Sequence, residues 1–320
     1  GGCGFIGSVF VKTAINRNYK VVNIDALTYA SNAQNLHVLK ANKDYIFVRG
    51  NICDNELVAS LLNKYKPMAL INFAAETHVD RSIKDSERFI ETNVLGTHRL
   101  LEQVRIYKEK DHKNEITFFQ ISTDEVFGEL GEKGNFNELS PYKPNSPYSS
   151  SKAAGDHLVR AWKKTYNLPI IITNCSNNYG PFQNKEKLIP LIITNALAGK
   201  PLPIYGKGLN VRDWLFVEDH VDAILCILEN AQRGTSFNIG GDCTLSNIEL
   251  VKKICKLLDN KVPRKTSYAE LITFVSDRPG HDFRYSVDCS KIKRELNWNK
   301  KFSLEKGLNV TIDWYLKNVG

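Results

Sequence analysis

Nowhere in this sequence does an apolar run approach the ~20 residues that a membrane-crossing helix needs. We therefore expect no transmembrane segment, and read no secretory leader at the start. No C-x-x-C pair occurs. The seven cysteines (Cys3, Cys53, Cys175, Cys226, Cys243, Cys255 and Cys289) are scattered and odd in number. That pattern argues against a disulfide framework and against a metal site, and makes a reducing cytoplasm the simpler home. Internal repeats and low-complexity stretches are also missing, which excludes solenoids. The net charge of +8 is not gathered into one basic run. Spread lysines form a solvated surface and suit a small anionic substrate, so nucleic acid is not the expected partner.

What is present is ordinary for a globular protein: 320 residues, 42% hydrophobic and 24% charged. That is enough for one large domain or two unequal ones. The first residues carry a G-x-x-G-x-x-G turn made by Gly1, Gly4 and Gly7, followed by a helix expected over 8–16. Glycines let the backbone approach a pyrophosphate, and the helix N-terminus favours its charge. A strand over 21–24 then ends at Asp25. An acid ~20 residues past the glycines suits the adenosine ribose and repels a 2′-phosphate, so NAD is favoured over NADP.

Strands over 45–49, 68–73, 116–122 and 170–174 alternate with helices over 54–65, 87–107 and 149–166. Alternation of this kind predicts a parallel sheet covered on both faces. Asp25, the run Ala74-Ala75-Glu76-Thr77, the run Thr123-Asp124-Glu125 and the pair Asn177-Asn178 all fall at carboxyl ends of strands, where such sheets bind ligands. We expect a cofactor domain over 1–180, with a returning segment at about 217–240. A discontinuous, smaller mixed domain is expected over 181–320, with a helix over 246–258 opened by a Ser-x-x-Glu capping box.

The most informative stretch is 121–152. Thr123 offers a hydroxyl at a strand end, and Asp124 and Glu125 stand beside it. Tyr148 and Lys152 share one helical face at i, i+4 spacing. A lysine cation nearby favours the phenolate, so the reading predicts a lowered tyrosine pKa and a base active near neutral pH. Taken alone, Y-x-x-x-K is weak; it also fits a helix start that carries both residues by chance.

The stretches AAETHVDRSI, ISTDEVFGEL, SPYSSSKAAGDHLVRAWKKTYNLP, TNCSNNYGPFQNKEKLIPLII, LPIYGKGLNVRDWLFVEDH and DRPGHDFRYS resemble the extended short-chain dehydrogenases/reductases, and within them the dTDP-glucose 4,6-dehydratase family. The resemblance spans essentially the whole chain. It implies an α/β fold: a Rossmann-type doubly wound parallel sheet with a smaller mixed α/β substrate domain. The first strand of that sheet is missing from this chain, so we expect unpaired central strands and weak NAD binding. It implies NAD bound by Gly1, Gly4, Phe5, Ile6, Gly7, Asp25, Ala26, Leu27 and Thr28. Asn51 and Ile52 would lie near the adenine, and Phe73, Ala74, Ala75, Glu76, Thr77, Thr92, Tyr148, Lys152 and Asn178 would complete the site. The nucleotide-sugar would meet Thr77, Thr123, Asn177, Lys187, Leu188, Pro203, Ile204, Tyr205, Arg212, Asn247, Arg278 and His281, with the two arginines as diphosphate clamps. The implied catalytic set is Thr123, Asp124, Glu125, Tyr148 and Lys152. The implied reaction on dTDP-glucose is oxidation at C4, loss of water across C5–C6, and return of hydride to C6. Tyr148 would be the C4 base, Glu125 the C5 base and Asp124 the acid at C6. A homodimer through the helices at 87–107 and 149–166 is also implied. A UDP-glucose 4,6-dehydratase and a nucleotide-sugar 4-epimerase remain alternatives, though an epimerase has no use for the acidic pair. Cys3, Ala26, Asn51 and Phe127 depart from the family's usual residues without touching the proposed chemistry.

Overall fold

The computed structural model describes residues 1–110 and 115–318. Its strands are β1 (Val21–Asp25), β2 (Tyr45–Arg49), β3 (Ala69–Asn72), β4 (Thr117–Thr123), β5 (Ile170–Cys175), β6 (Asn177–Tyr179), β7 (Leu202–Tyr205), β8 (Val211–Phe216), β9 (Thr235–Ile239), β10 (Thr244–Ser246) and β11 (Ile272–Val275). The parallel sheet runs β3-β4-β5-β9, and a parallel pair β1-β2 stands apart from it. Among the described residues no strand joins β1 to β3. The glycine turn lies between their ends: the Gly1 ammonium donates to Ile24 O at 2.5 Å. A Cβ added to Gly1 would sit 2.4 Å from Ala74 N.

The sequence explains the sheet. All seven residues of β4 and all six of β5 are buried, as a strand covered on both faces requires. Helices cover it. The helix Pro147–Tyr166 starts where Ser146 accepts from Ser149 N, closing a capping box, and Pro147 occupies the first turn; both are helix-start devices. It ends at Asn167 in the left-handed region, φ 50°. The expected 87–107 helix is not uniform. It runs as Glu87–Phe89, then a π-helical segment Ile90–Gly96, then Thr97–Lys110.

Two main cores sit side by side. One joins helix Phe5–Asn16, β4, β5, β9 and helix Val217–Asn230 around Phe119, Ile171, Ile224 and Phe237. The other joins β7, β8 and the helices Leu188–Leu197, Asn247–Lys261 and Leu304–Asn318 around Ile192, Phe216, Ile254 and Ile312. β8 is shared by alternation: Leu215 enters the first core, while Trp214 and Phe216 enter the second, as the two-residue period dictates. Residues Val287, Cys289, Ile292 and Trp298 also return to the first core, a second crossing that sequence reading did not anticipate.

Candidate active site

A cleft opens at the carboxyl ends of the strands, floored by Thr123, Tyr148 and Lys152 and flanked by the glycine turn and by Asn177. Gly1, Gly4, Phe5, Ile6, Gly7, Phe73, Ala75, Thr77, Thr123, Asp124, Glu125, Tyr148, Lys152, Asn177, Asn178 and Lys187 all line it, as expected from sequence. Tyr29, His78, Ser176, Gln183 and Glu186 line it too; all but Tyr29 lie within the quoted stretches, but none had been singled out.

The turn fits a dinucleotide phosphate. A Cβ on Gly7 would approach Gly1 O to 2.4 Å, so the turn closes only with glycine there. Gly4 differs: its Cβ would meet nothing nearer than 3.4 Å. Gly4 is the N-cap of helix Phe5–Asn16, and no side chain caps that end. Uncapped helix N–H groups beside open space form an anion seat.

Asp25 is placed differently from the simple expectation. It is buried, and its Oδ2 accepts from Cys3 N at 2.8 Å while Oδ1 accepts from Leu27 N at 2.8 Å. It ties the glycine turn to the loop after β1. Asn51 caps its own turn, accepting from Cys53 N at 2.9 Å, and Ile52 is buried in the core under Gly96. The 74–77 run is held by a residue sequence reading missed. Asn93, on the π-helical segment, accepts from Glu76 N at 2.9 Å and donates to Glu76 O at 3.0 Å and Ser151 Oγ at 2.9 Å. Its neighbour Thr92 is half-buried. A π-helical segment widens the turn and often marks a functional site; a uniform helix would aim Asn93 elsewhere. Asn178 is fixed by His220, whose Nδ1 lies 2.8 Å from Asn178 Oδ1. Burial pulls the His220 imidazole down to about 3, so it is neutral and Nδ1 donates.

Tyr148 is buried against Phe89, with ring centroids 6.3 Å apart, and its N–H donates to Ser82 Oγ at 3.2 Å. The expected lowering of its pKa is corrected here. Burial pushes the phenol well above its ordinary value, the Glu125 carboxylate adds to this, and a hydrogen bond with Thr123 opposes it. Lys152 does not counter the shift, because its Nζ donates to Ile121 O at 2.8 Å and burial disfavours its own charge. Asp156, one helical turn on, opposes that loss of charge. Asp156 is itself buried, accepting from Ser122 Oγ at 2.6 Å and Tyr142 OH at 3.0 Å.

The two adjacent carboxyls have unlike surroundings. Asp124 is fully buried, and its Oδ2 has no partner. Burial first, then Glu125 and Asp213, hold it well above the carboxylate range. Glu125 is also raised by burial, but Arg278, Arg212 and Lys187 all pull it back. Asp124 is therefore the group kept protonated and Glu125 the one offered cationic neighbours.

Beyond the acid pair lies the expected substrate side. Arg278 reaches Asp80 Oδ1 at 3.5 Å, and its Nε is buried without a partner, a donor free for an anion. Arg212 is less available: it donates to the carbonyls of Val211, Phe283 and Asp282 and lies over the Tyr285 ring at 4.3 Å. His281 pairs with Asp277 at 2.6 Å. Lys187 donates to Thr77 O at 2.8 Å, next to Leu188 at the start of its helix. Asn177 and Asn247 each keep a buried, unpartnered Oδ1. On β7, Tyr205 is exposed beside His281, whereas the Ile204 side chain is packed into the second core and turned away from any ligand. Arg81, over the Tyr29 ring at 3.9 Å, pairs with Glu186 across the cleft.

The family model described as GDP-mannose 4,6 dehydratase matches residues 1–311. A dTDP-glucose 4,6-dehydratase from Xanthomonas campestris pv. campestris is 54% identical over 99% of this chain and 92% of its own. The solved dTDP-glucose 4,6-dehydratase of Bacillus anthracis, in complex with NAD, is 46% identical with a TM-score of 0.89, covering 99% of this chain and 95% of that one. That of Streptomyces venezuelae, also with NAD bound, is 42% identical with a TM-score of 0.91, covering 99% and 96%.

Proposed function

Since the chain belongs to the dTDP-glucose 4,6-dehydratases, we propose that the cleft removes water from dTDP-glucose with NAD as a resident cofactor. The observation that carries the assignment of roles is the pair Asp124 and Glu125, adjacent in sequence but unequally shifted: burial raises both, well above the ordinary value for Asp124, while Arg278, Arg212 and Lys187 draw Glu125 back toward its charged form. An epimerase needs one base and no such pair. The residues named above fit the dinucleotide: the Gly4 turn for the pyrophosphate, Asn178 and Lys152 for the nicotinamide end. When bound, NAD supplies a hydride acceptor and donor.

The chain's own groups do the rest. Taking the C4 hydroxyl proton requires Tyr148 as the phenolate, which burial on its own disfavours; the Thr123 hydroxyl beside it favours that form, and the positive charge of bound NAD, with the Lys152 cation, would favour it further. A ketone at C4 acidifies C5, and Glu125 removes that proton. Asp124, already protonated, gives its proton to the departing C6 hydroxyl. Arg278 holds the diphosphate through its unpartnered Nε, and Arg212, bonded to the carbonyls of Val211, Phe283 and Asp282, adds positive charge beside it. Loss of water leaves a 4-keto-5,6-ene; with the hydride taken from C4 returned to C6 and a proton returned to C5, the product is a 4-keto-6-deoxy sugar. The first core with the 217–240 return is assigned to cofactor binding and the second core to the nucleotide-sugar. A homodimer is assigned to the helical stretches 87–107 and 149–166, which leave Ile90, Leu95 and Tyr166 exposed. A cytoplasmic home is supported by seven unpaired cysteines.

The test incubates the chain with dTDP-glucose and, separately, UDP-glucose, with NAD supplied. Mass spectrometry should find one water lost from the dTDP sugar. Inversion at C4 without loss of water, or no change in either sugar, rejects the reading.

A further inference from the structure

The floor of the catalytic cleft is buried: Tyr148 and Thr123 are each 7% exposed and Lys152 4%. Its rim carries residues that the chemistry does not use. The short helix Val79–Lys84 follows directly on the cofactor run 74–77. From it Arg81, with a side chain 45% exposed, meets Glu186, 36% exposed, on the segment ahead of helix Leu188–Leu197. The contact is a fork: Arg81 Nε donates to Glu186 Oε2 at 3.3 Å, and Nη2 donates to Oε1. His78 Nε2 lies 3.4 Å from the same Oε2. The Arg81 guanidinium also lies over the ring of Tyr29, on the loop after β1, at 3.9 Å. Tyr29, His78 and Glu186 all line the cleft. One guanidinium thus joins the loop after β1 to the segment before helix Leu188–Leu197.

Both ends of this link are moored. Asp80, beside Arg81, accepts from Tyr205 OH at 3.4 Å and pairs with Arg278 Nη1 at 3.5 Å. Beside Glu186, Lys187 Nζ donates to Thr77 O at 2.8 Å. The Glu186 N–H itself donates to Asn184 Oδ1 at 3.0 Å. Opening the link therefore takes the breaking of the Arg81 fork, not the drift of a loose loop.

We propose that Tyr29, Arg81 and Glu186 form a strap across the mouth of the cleft, which the nicotinamide dinucleotide passes both on entry and on release. The proposal rests on the reading of the cleft as the NAD site. Hydride leaves C4 and returns to C6 within one cycle, so a reduced cofactor that escaped midway would strand the sugar. The strap joins protein to protein, and its opening is a step common to both directions. Removing it speeds entry and release by similar factors and moves the dissociation constant little. A residue that simply touched the cofactor would, when lost, speed release alone.

The experiment follows NAD entry and release by stopped-flow protein fluorescence in the full chain and its variants. Arg81→Gln loses both the carboxylate and the ring. It should raise both rate constants on the order of tenfold, the worth of a forked ion pair with an aromatic beneath it. Glu186→Gln should raise both by less, and the double variant by no more than Arg81→Gln, because the fork is one contact. Added salt should narrow the gap between parent and variants. Arg88→Gln breaks an exposed pair with Asp85 nearby; as the control it should leave both rates alone. Faster release with unchanged entry, or variant rates equal to the parent's, overturns the strap. Product formation from dTDP-glucose by the parent tests the reading of the cleft separately.

Discussion

Asp124 carries a stability cost that follows from its task. Its unfolded pKa is that of an ordinary aspartate, but in the fold burial raises it well above that value. Between those two values the folded state holds the extra proton, so this group's contribution to stability declines as pH rises. At neutral pH the carboxyl favours the unfolded chain. Asp124→Asn removes the titration and keeps the shape. It should therefore melt higher than the parent at pH 7 while losing dehydration by on the order of 10²–10⁴-fold, the range for a lost general acid. Calorimetry and product analysis would check both halves. Asp156 makes a different prediction. It opposes the loss of charge at Lys152, and if Lys152 supports the Tyr148 phenolate once NAD is bound, as the proposed mechanism requires, a weaker Lys152 cation supports it less. Asp156→Asn should move the acid limb of the kcat pH profile upward and leave KM nearly unchanged. An unmoved limb with a lower kcat would make Asp156 merely structural.

At the scale of elements, the glycine turn separates two jobs that sequence alone merges. Gly7 is fixed by its neighbour at Gly1, whereas a Cβ on Gly4 would only touch Gly1 O, at 3.4 Å. Gly4→Ala should fold and melt like the parent but bind NAD at least tenfold more weakly, since the methyl occupies the anion seat. A fluorescence titration with NAD would measure it. Strand and helix identities were legible because apolar runs, caps and the Tyr148–Lys152 spacing are local signals. The π-helical segment was not: nothing in Ile90–Gly96 departs from a helical pattern, and the widening is visible only through the bonds of Asn93 to Glu76 and Ser151. The rise in the Tyr148 pKa was equally hidden. An i, i+4 spacing places two residues on one face but says nothing of burial or of where Lys152 Nζ points. His220, behind Asn178, closes the stretch LPIYGKGLNVRDWLFVEDH, but nothing in that stretch says it faces Asn178.

Across the whole molecule, buried titratable groups set the response to acid. His220 is held neutral, down to about 3, while its unfolded form takes a proton near 6.5. In that window the unfolded chain binds the extra proton, so stability falls as pH drops, by up to about 1.4 kcal/mol per pH unit from this group. His220→Gln should flatten that part of the profile; denaturant melts of both proteins at pH 4 to 6.5 would show it. The resemblance led to the right fold, but the second return to the first core, by Val287, Cys289, Ile292 and Trp298, was not foreseen. The polypeptide leaves the first core after β5, comes back with the helix Val217–Asn230 and β9, and comes back once more with Cys289 and Ile292. A seam stitched this many times has no single place for the scissors. Neither half is a module that one cut could release, and any ancestral exchange of substrate specificity had to proceed by changing residues in place.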